Sequence, residues 1–246
     1  MKRLANKVAL ITGGSRGMGR AIAKRLAEEG ADISITYARG ADKAAEVVKE
    51  IRQTGRRAIA IAADSQDPHA ITTAVERTVS ELGAIDILVN NAGIFEVSAL
   101  TDITLEDYDR TMSINVRAVF LASQAAARHM RPGGRIISIG SCLGDRVHSA
   151  NLSLYAMSKS ALTGLTKALA RELGKDKITV NIIQPGPVNT DMNPANGAHA
   201  DFQRSRMAIP EYGEPEDIAA AVAWLASPEG KYITGASIAA DGGTNA

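Results

Sequence analysis

The chain has 246 residues, 45% of them hydrophobic, and a formal net charge of +1. That length suits one α/β domain with a sizeable core, and so small a net charge speaks against nucleic acid or an anionic membrane as the main partner. No apolar run approaches the roughly 20 residues of a membrane span, and the single cysteine, Cys142, excludes an intrachain disulfide. Residues 1–7 lack the apolar core of a signal peptide, so the expected location is the cytoplasm, which a lone cysteine also fits. His69, His129, His148 and His199 show no metal-ligand spacing, and no metal is expected.

Residues 8–12 form a short apolar, partly β-branched run that predicts a buried strand. It leads straight into Gly13-Gly-Ser15-Arg16-Gly17-Met18-Gly19. Ile22, Leu26 and the alanines between them then set a helical period that Gly30 ends. Strand, glycine turn and helix form the context of a phosphate-binding turn. The glycines let the backbone approach a pyrophosphate, and the helix start offers unpaired N–H groups with partial positive charge. The second strand, 32–37, ends without the Asp or Glu that binds the ribose hydroxyls of NAD in dinucleotide folds. Arg39 stands there instead, and Arg16 lies within the glycine turn. Either can pair with a 2′-phosphate, so NADP(H) is the expected cofactor. A solvated loop charge is the alternative for Arg39, which leaves Arg16 with the greater weight.

Further strands are predicted at 58–62, 85–90, 135–139, 179–184 and 237–240, and helices near 42–55, 67–82, 104–130, 154–173 and 214–226. Asp67-Pro68 supplies a cap and a first-turn proline, and Glu214-Pro215 resembles it. The alternation predicts an α/β fold, a doubly wound parallel seven-stranded sheet with helices on both faces. No linker or repeat divides residues 1–246, so one domain is expected. The stretch 186–213 breaks the rhythm. It follows the sixth strand and so lies over the carboxyl edge of the sheet, where ligands bind. We read it as a mobile substrate lid, with a plain surface loop as the alternative.

Tyr155-Ala-Met-Ser-Lys159 puts a tyrosine and a lysine on one helix face. A free phenol titrates at about 10. A neighbouring ammonium favours the phenolate, giving a group able to exchange protons with a carbonyl or alcohol oxygen. Ser141 lies upstream at the end of an apolar strand; Ser138, inside that strand, is the alternative serine. Cys142 is read as a buried small side chain.

Thr12-Gly13-x-x-x-Gly17-x-Gly19, Asn90-Asn91-Ala92-Gly93, Asn115, Ser141, Tyr155-x-x-x-Lys159 and Pro185-Gly186 occur in that order. In this the chain resembles the short-chain dehydrogenase/reductase family across nearly its whole length, most closely the 3-oxoacyl-carrier-protein reductases. Residues 185–197 and 207–235 also look like a branch associated with binding a cyclic dinucleotide in biofilm dispersal. The resemblance implies a Rossmann fold and reversible hydride transfer between NADP(H) and a small-molecule carbonyl/alcohol pair. It implies that Tyr155 donates the proton and Ser141 orients the substrate oxygen. Lys159 lowers the Tyr155 pKa and holds the nicotinamide ribose, and Asn115 supports a water chain. A helix-interior amide bonding locally is the alternative for Asn115.

The resemblance further sets Asp64 and Ser65 beside the adenine, and Asn91, Ala92 and Gly93 along the ribose. Asn91 also suits a purely structural role in its turn. Pro185, Gly186 and Val188 approach the carboxamide, with Thr190 near the phosphates. Members of the family are commonly tetramers, and the alanine-rich faces of 118–128 and 161–173 permit such packing, though they equally suit the chain's own core. The interval from Ser141 to Tyr155 is one residue longer than in many members, and 144–151 absorbs the difference. The second reading is a nucleotide-binding regulator with little or no turnover, since fold does not fix function.

Overall fold

The computed structural model describes residues 2–246. Seven strands, β1 (Val8–Ile11), β2 (Asp32–Tyr37), β3 (Ala58–Ala62), β4 (Ile87–Asn90), β5 (Arg135–Ile139), β6 (Thr179–Pro185) and β7 (Ser237–Ala240), form one sheet in the order β3-β2-β1-β4-β5-β6-β7. Every pairing is parallel. This is the single-domain Rossmann architecture expected from the alternation of apolar runs and helical patterns.

Because a parallel sheet is covered on both faces, its strands are apolar at successive positions. In β1, Ala9 and Ile11 pack under α1 (Gly17–Glu28), α2 (Ala41–Gln53) and α8 (Pro215–Ala226), through Ile22, Leu26, Val47, Ile51 and Val222. Leu10 faces the opposite layer, made by α3 (Pro68–Leu82), α5 (Ala118–Ala127) and α6 (Ser153–Leu173), through Ile71, Val75, Ala122 and Ala170. β5 divides its side chains the same way, with Ile136 in one layer and Ile137 and Ile139 in the other. The winding reverses between β1 and β4, so a crevice opens at the carboxyl ends of those strands, the place where open α/β sheets bind ligands.

Local chemistry sets the helix ends. Asp67 accepts a hydrogen bond from the His69 amide at 2.8 Å, Pro68 opens α3, and Gly83 closes it at φ 89. α4 (Leu105–Met112) begins with a capping box between Thr104 and Asp107.

The helix expected over 104–130 is more finely divided than that. α4 passes through one π turn, Ser113–Arg117, before α5, and α5 ends at Ala127. Hydrophobic spacing does not reveal the extra residue in the π turn, which holds Asn115. The stretch 186–213 carries some local structure. Val188 bridges to Gly213, and a short helix, α7 (Ala200–Arg204), lies within it. Asn193, Gln203 and Tyr212 hydrogen-bond together, and the Arg204 guanidinium donates to the Ala195 carbonyl at 2.6 Å.

Candidate active site

The nucleotide end is built on the turn between β1 and α1. Gly13 and Gly17 hold positive φ, 67 and 51, conformations that favour glycine. A Cβ on Gly19 would lie 2.3 Å from the Gly13 carbonyl oxygen, so only glycine lets the turn close. Arg16 precedes α1 in extended backbone and offers its amides no side-chain cap. The first N–H groups of α1 are thus free to meet an anion. These features fit a dinucleotide pyrophosphate.

Asn91 fastens this turn: its amide donates to the Thr12 and Gly13 carbonyls at 2.9 and 3.1 Å. The Thr12 hydroxyl accepts from the Asn91 and Ala92 amides. The structural role left open for Asn91 is therefore filled. Ser15 is buried, and Met18 packs against the core. Thr190 is brought over the turn, its methyl 3.5 Å from where a Gly17 Cβ would stand. Gly186 is forced by a close approach, since a Cβ there would be 2.7 Å from the Asp241 backbone. It follows Pro185 at the end of β6, and Val188 is buried beyond it. Ser65 is buried and Asp64 exposed after β3, and Arg39 is exposed after β2.

The candidate catalytic end lies where β4 and β5 stop. Ser141 follows β5, its amide donating to Gln184 Oε1 at 2.7 Å and its hydroxyl accepting from the Leu143 amide at 3.2 Å. Ser138 lies within the ladder between Asn90 and Ile182, upstream of that turn. Gln184 is a residue of the candidate site that sequence reasoning missed. It is buried in β6 and also donates to the hydroxyls of Thr163 and Ser237, so it sets the position of the Ser141 turn. Gly140 makes room for it, for a Cβ there would collide with Gln184 Oε1. Cys142 is buried, and burial pushes its thiol up to about 11, which keeps it an unreactive small side chain.

Tyr155 stands on the first turn of α6, its ring perpendicular to that of Phe95 at a centroid separation of 4.8 Å. Lys159, one turn on, is buried, and its Nζ donates to the Ile139 carbonyl at 3.1 Å, 5.8 Å from the Tyr155 ring centroid. The expected depression of the tyrosine pKa is not found in this protein-only site. Burial pushes the Tyr155 phenol up to about 12, against an opposing pull from Ser141, and burial pulls Lys159 down to about 8. Both groups are disfavoured in their charged forms because little water reaches them.

Asn115 is 1% exposed, and its side chain pairs with the Ile94 backbone in both directions, at 2.9 and 3.0 Å. It also donates to Ser158 Oγ, which donates to the Tyr155 carbonyl. The π turn thereby ties the loop after β4 to the helix carrying Tyr155. Gly93 completes the junction, since a Cβ there would stand 3.3 Å from both Asn115 Oδ1 and Lys159 Nζ. Among the described residues no group of three or more His, Cys, Asp or Glu is placed to hold a metal, and no helix is long and apolar enough to cross a membrane.

The family model described as enoyl-(acyl carrier protein) reductase matches residues 13–245. The cyclic-di-GMP-binding biofilm dispersal mediator protein of Escherichia coli (strain K12) is 46% identical over 242 residues, 98% of each chain. A short chain dehydrogenase from Burkholderia cenocepacia J2315, solved in complex with NADP, is 60% identical and superposes with a TM-score of 0.98 over 99% of this chain and 100% of that one. A blue fluorescent protein from a metagenomic library, solved in complex with NADPH, is 54% identical with a TM-score of 0.98 and the same coverage.

Proposed function

Because the chain belongs to the short-chain dehydrogenase/reductase family, we propose that it is an NADP(H)-dependent oxidoreductase interconverting a carbonyl compound and its alcohol. The observation that carries this reading is the meeting of two halves in the loop after β4, where Gly93 lies against both Asn115 Oδ1 and Lys159 Nζ and Asn91 fastens the glycine turn. The cofactor, when bound, supplies or accepts a hydride. Gly13, Ser15, Gly17, Met18 and Gly19 form its cradle, with Asn91, Ala92 and Gly93 along one wall and Pro185, Gly186, Val188 and Thr190 along the other. Arg16 and Arg39 meet the 2′-phosphate, and Asp64 and Ser65 border the adenine.

In the reductive direction Tyr155 gives its Oη proton to the substrate oxygen as negative charge builds there, and the Ser141 hydroxyl donates a hydrogen bond to the same oxygen. Burial favours the protonated phenol, so the proton to be donated is in place on Tyr155. Lys159 supplies the nearby positive charge, and Asn115 holds the loop and helix together at the point of proton resupply. The folded stretch 186–213 closes over the substrate as a lid. The exposed Phe120 and Met157, on the face of α5 and α6, support packing of the chain into a homotetramer, and the cytoplasm is its proposed location.

The test is NADPH consumption across ketones, aldehydes and 3-oxoacyl thioesters. Turnover on one class identifies the substrate, and tight NADPH binding without turnover on any class contradicts the reading. The likeness to the biofilm dispersal mediator supports a second reading, cyclic dinucleotide binding by the same fold. Titration with cyclic-di-GMP tests it independently of turnover.

A further inference from the structure

A carboxylate from the proposed lid stands at Arg16, one of the two cations expected to read a 2′-phosphate. Asp191 Oδ2 lies 3.6 Å from Arg16 Nη1 in the glycine turn and 4.0 Å from Lys43 Nζ in the first turn of α2. Its position is set by the backbone. Thr190 and Asn193 bond to each other across it, the Asn193 amide donating to the Thr190 carbonyl at 3.0 Å, while Thr190 rests over Gly17. Lys43 stands at the other side, its stem passing Gly40 at the start of α2. Two cations from two different elements therefore share one anion supplied by a third.

We propose that Asp191 is an internal stand-in for the 2′-phosphate of the cofactor, and that Lys43 joins Arg16 in binding that phosphate. This rests on the NADP(H) reading above. A phosphate monoester carries about −1.5 to −2 charge near neutral pH, against −1 for the carboxylate, and offers three acceptor oxygens. It therefore displaces Asp191 from Arg16 and Lys43. All three side chains are about two-thirds exposed, so the ion pairs are weak and easily broken. A nucleotide without the 2′-phosphate leaves Asp191 where it is. Asp191 thus weakens only the 2′-phosphorylated cofactor, and arrival of that cofactor frees the first turn of the lid.

The test is calorimetric titration of the full chain with 2′,5′-ADP and with 5′-ADP as separate probes. Asp191→Asn and Asp191→Ala are each expected to tighten 2′,5′-ADP about two- to fivefold, the range of an exposed charge pair, and to leave 5′-ADP unchanged. Lys43→Met is expected to weaken 2′,5′-ADP by a similar factor and again to spare 5′-ADP. The Asp191 effect disappears in about 1 M salt, where the screening length is near 3 Å. Equal effects on both probes, or none on either, overturn the proposal. Arg16→Ala separates the two levels: if it weakens both probes equally, the 2′-phosphate reading itself falls. If it weakens 2′,5′-ADP alone while the Asp191 variants change nothing, only the role of Asp191 falls.

Discussion

Lys159 is held in an environment that disfavours its charge. Its ordinary value is 10.5, and burial pulls it to about 8. The unfolded chain therefore keeps this proton up to 10.5 while the folded site releases it near 8. Between those values stability rises with pH, and below 8 the full cost of the buried ammonium is present. Lys159→Met is expected to stabilise the ligand-free protein near neutral pH, on the order of 1–3 kcal/mol, while weakening NADPH. Denaturant melts with and without NADPH check both halves, and a loss of ligand-free stability contradicts the account. Because its Oε1 accepts from the Ser141 amide, Gln184 is expected to act through Ser141 rather than on substrate. Gln184→Leu leaves the Ser141 amide without its acceptor. It is expected to lower kcat about 10- to 100-fold with little change in NADPH affinity, whereas Gln184→Glu, which keeps the acceptor, recovers part of the rate. Steady-state kinetics on the two variants separate positioning from general damage.

The glycine turn and its helix were legible in the sequence because their requirement is steric and local. A Cβ at Gly19 meets the Gly13 carbonyl whatever the rest of the fold does. Gly19→Ala is accordingly expected to destabilise the protein by about 1–3 kcal/mol and to abolish detectable NADPH binding in a fluorescence titration. The strands were legible for a related reason, since burial on both faces writes continuous apolar runs. Three features were not. The π turn around Asn115 changes the backbone hydrogen bonding without changing the hydrophobic period. α7 spans only Ala200–Arg204, too short for a periodic signal. Gln184 reads as the end of an apolar strand, and its contact exists only because Gly140, just after β5, lets the Ser141 turn come against it. The direction of the Tyr155 shift was misjudged likewise. Spacing shows that Lys159 shares its face, but burial, which dominates, is a tertiary property.

Across the whole molecule, the sheet order brings together side chains that are far apart in sequence. Crossing from β1 to β4 opens the crevice, the loop after β4 meets the π turn, and β6 delivers Gln184 to the turn after β5. The nucleotide half and the half proposed to donate the proton are thereby separate constructions that meet at Gly93, beside both Asn115 and Lys159. Their separability makes the proposed chemistry testable without knowledge of the physiological substrate. The most direct measurement is a single-turnover experiment with enzyme-bound NADPH and an accepted carbonyl compound, run on the wild-type chain and on Tyr155→Phe, with NADPH affinity titrated for both. The account predicts a loss of hydride transfer of about 10²- to 10⁴-fold in Tyr155→Phe, the share of a general acid, with NADPH affinity nearly unchanged. A Tyr155→Phe rate close to that of the wild type would contradict it.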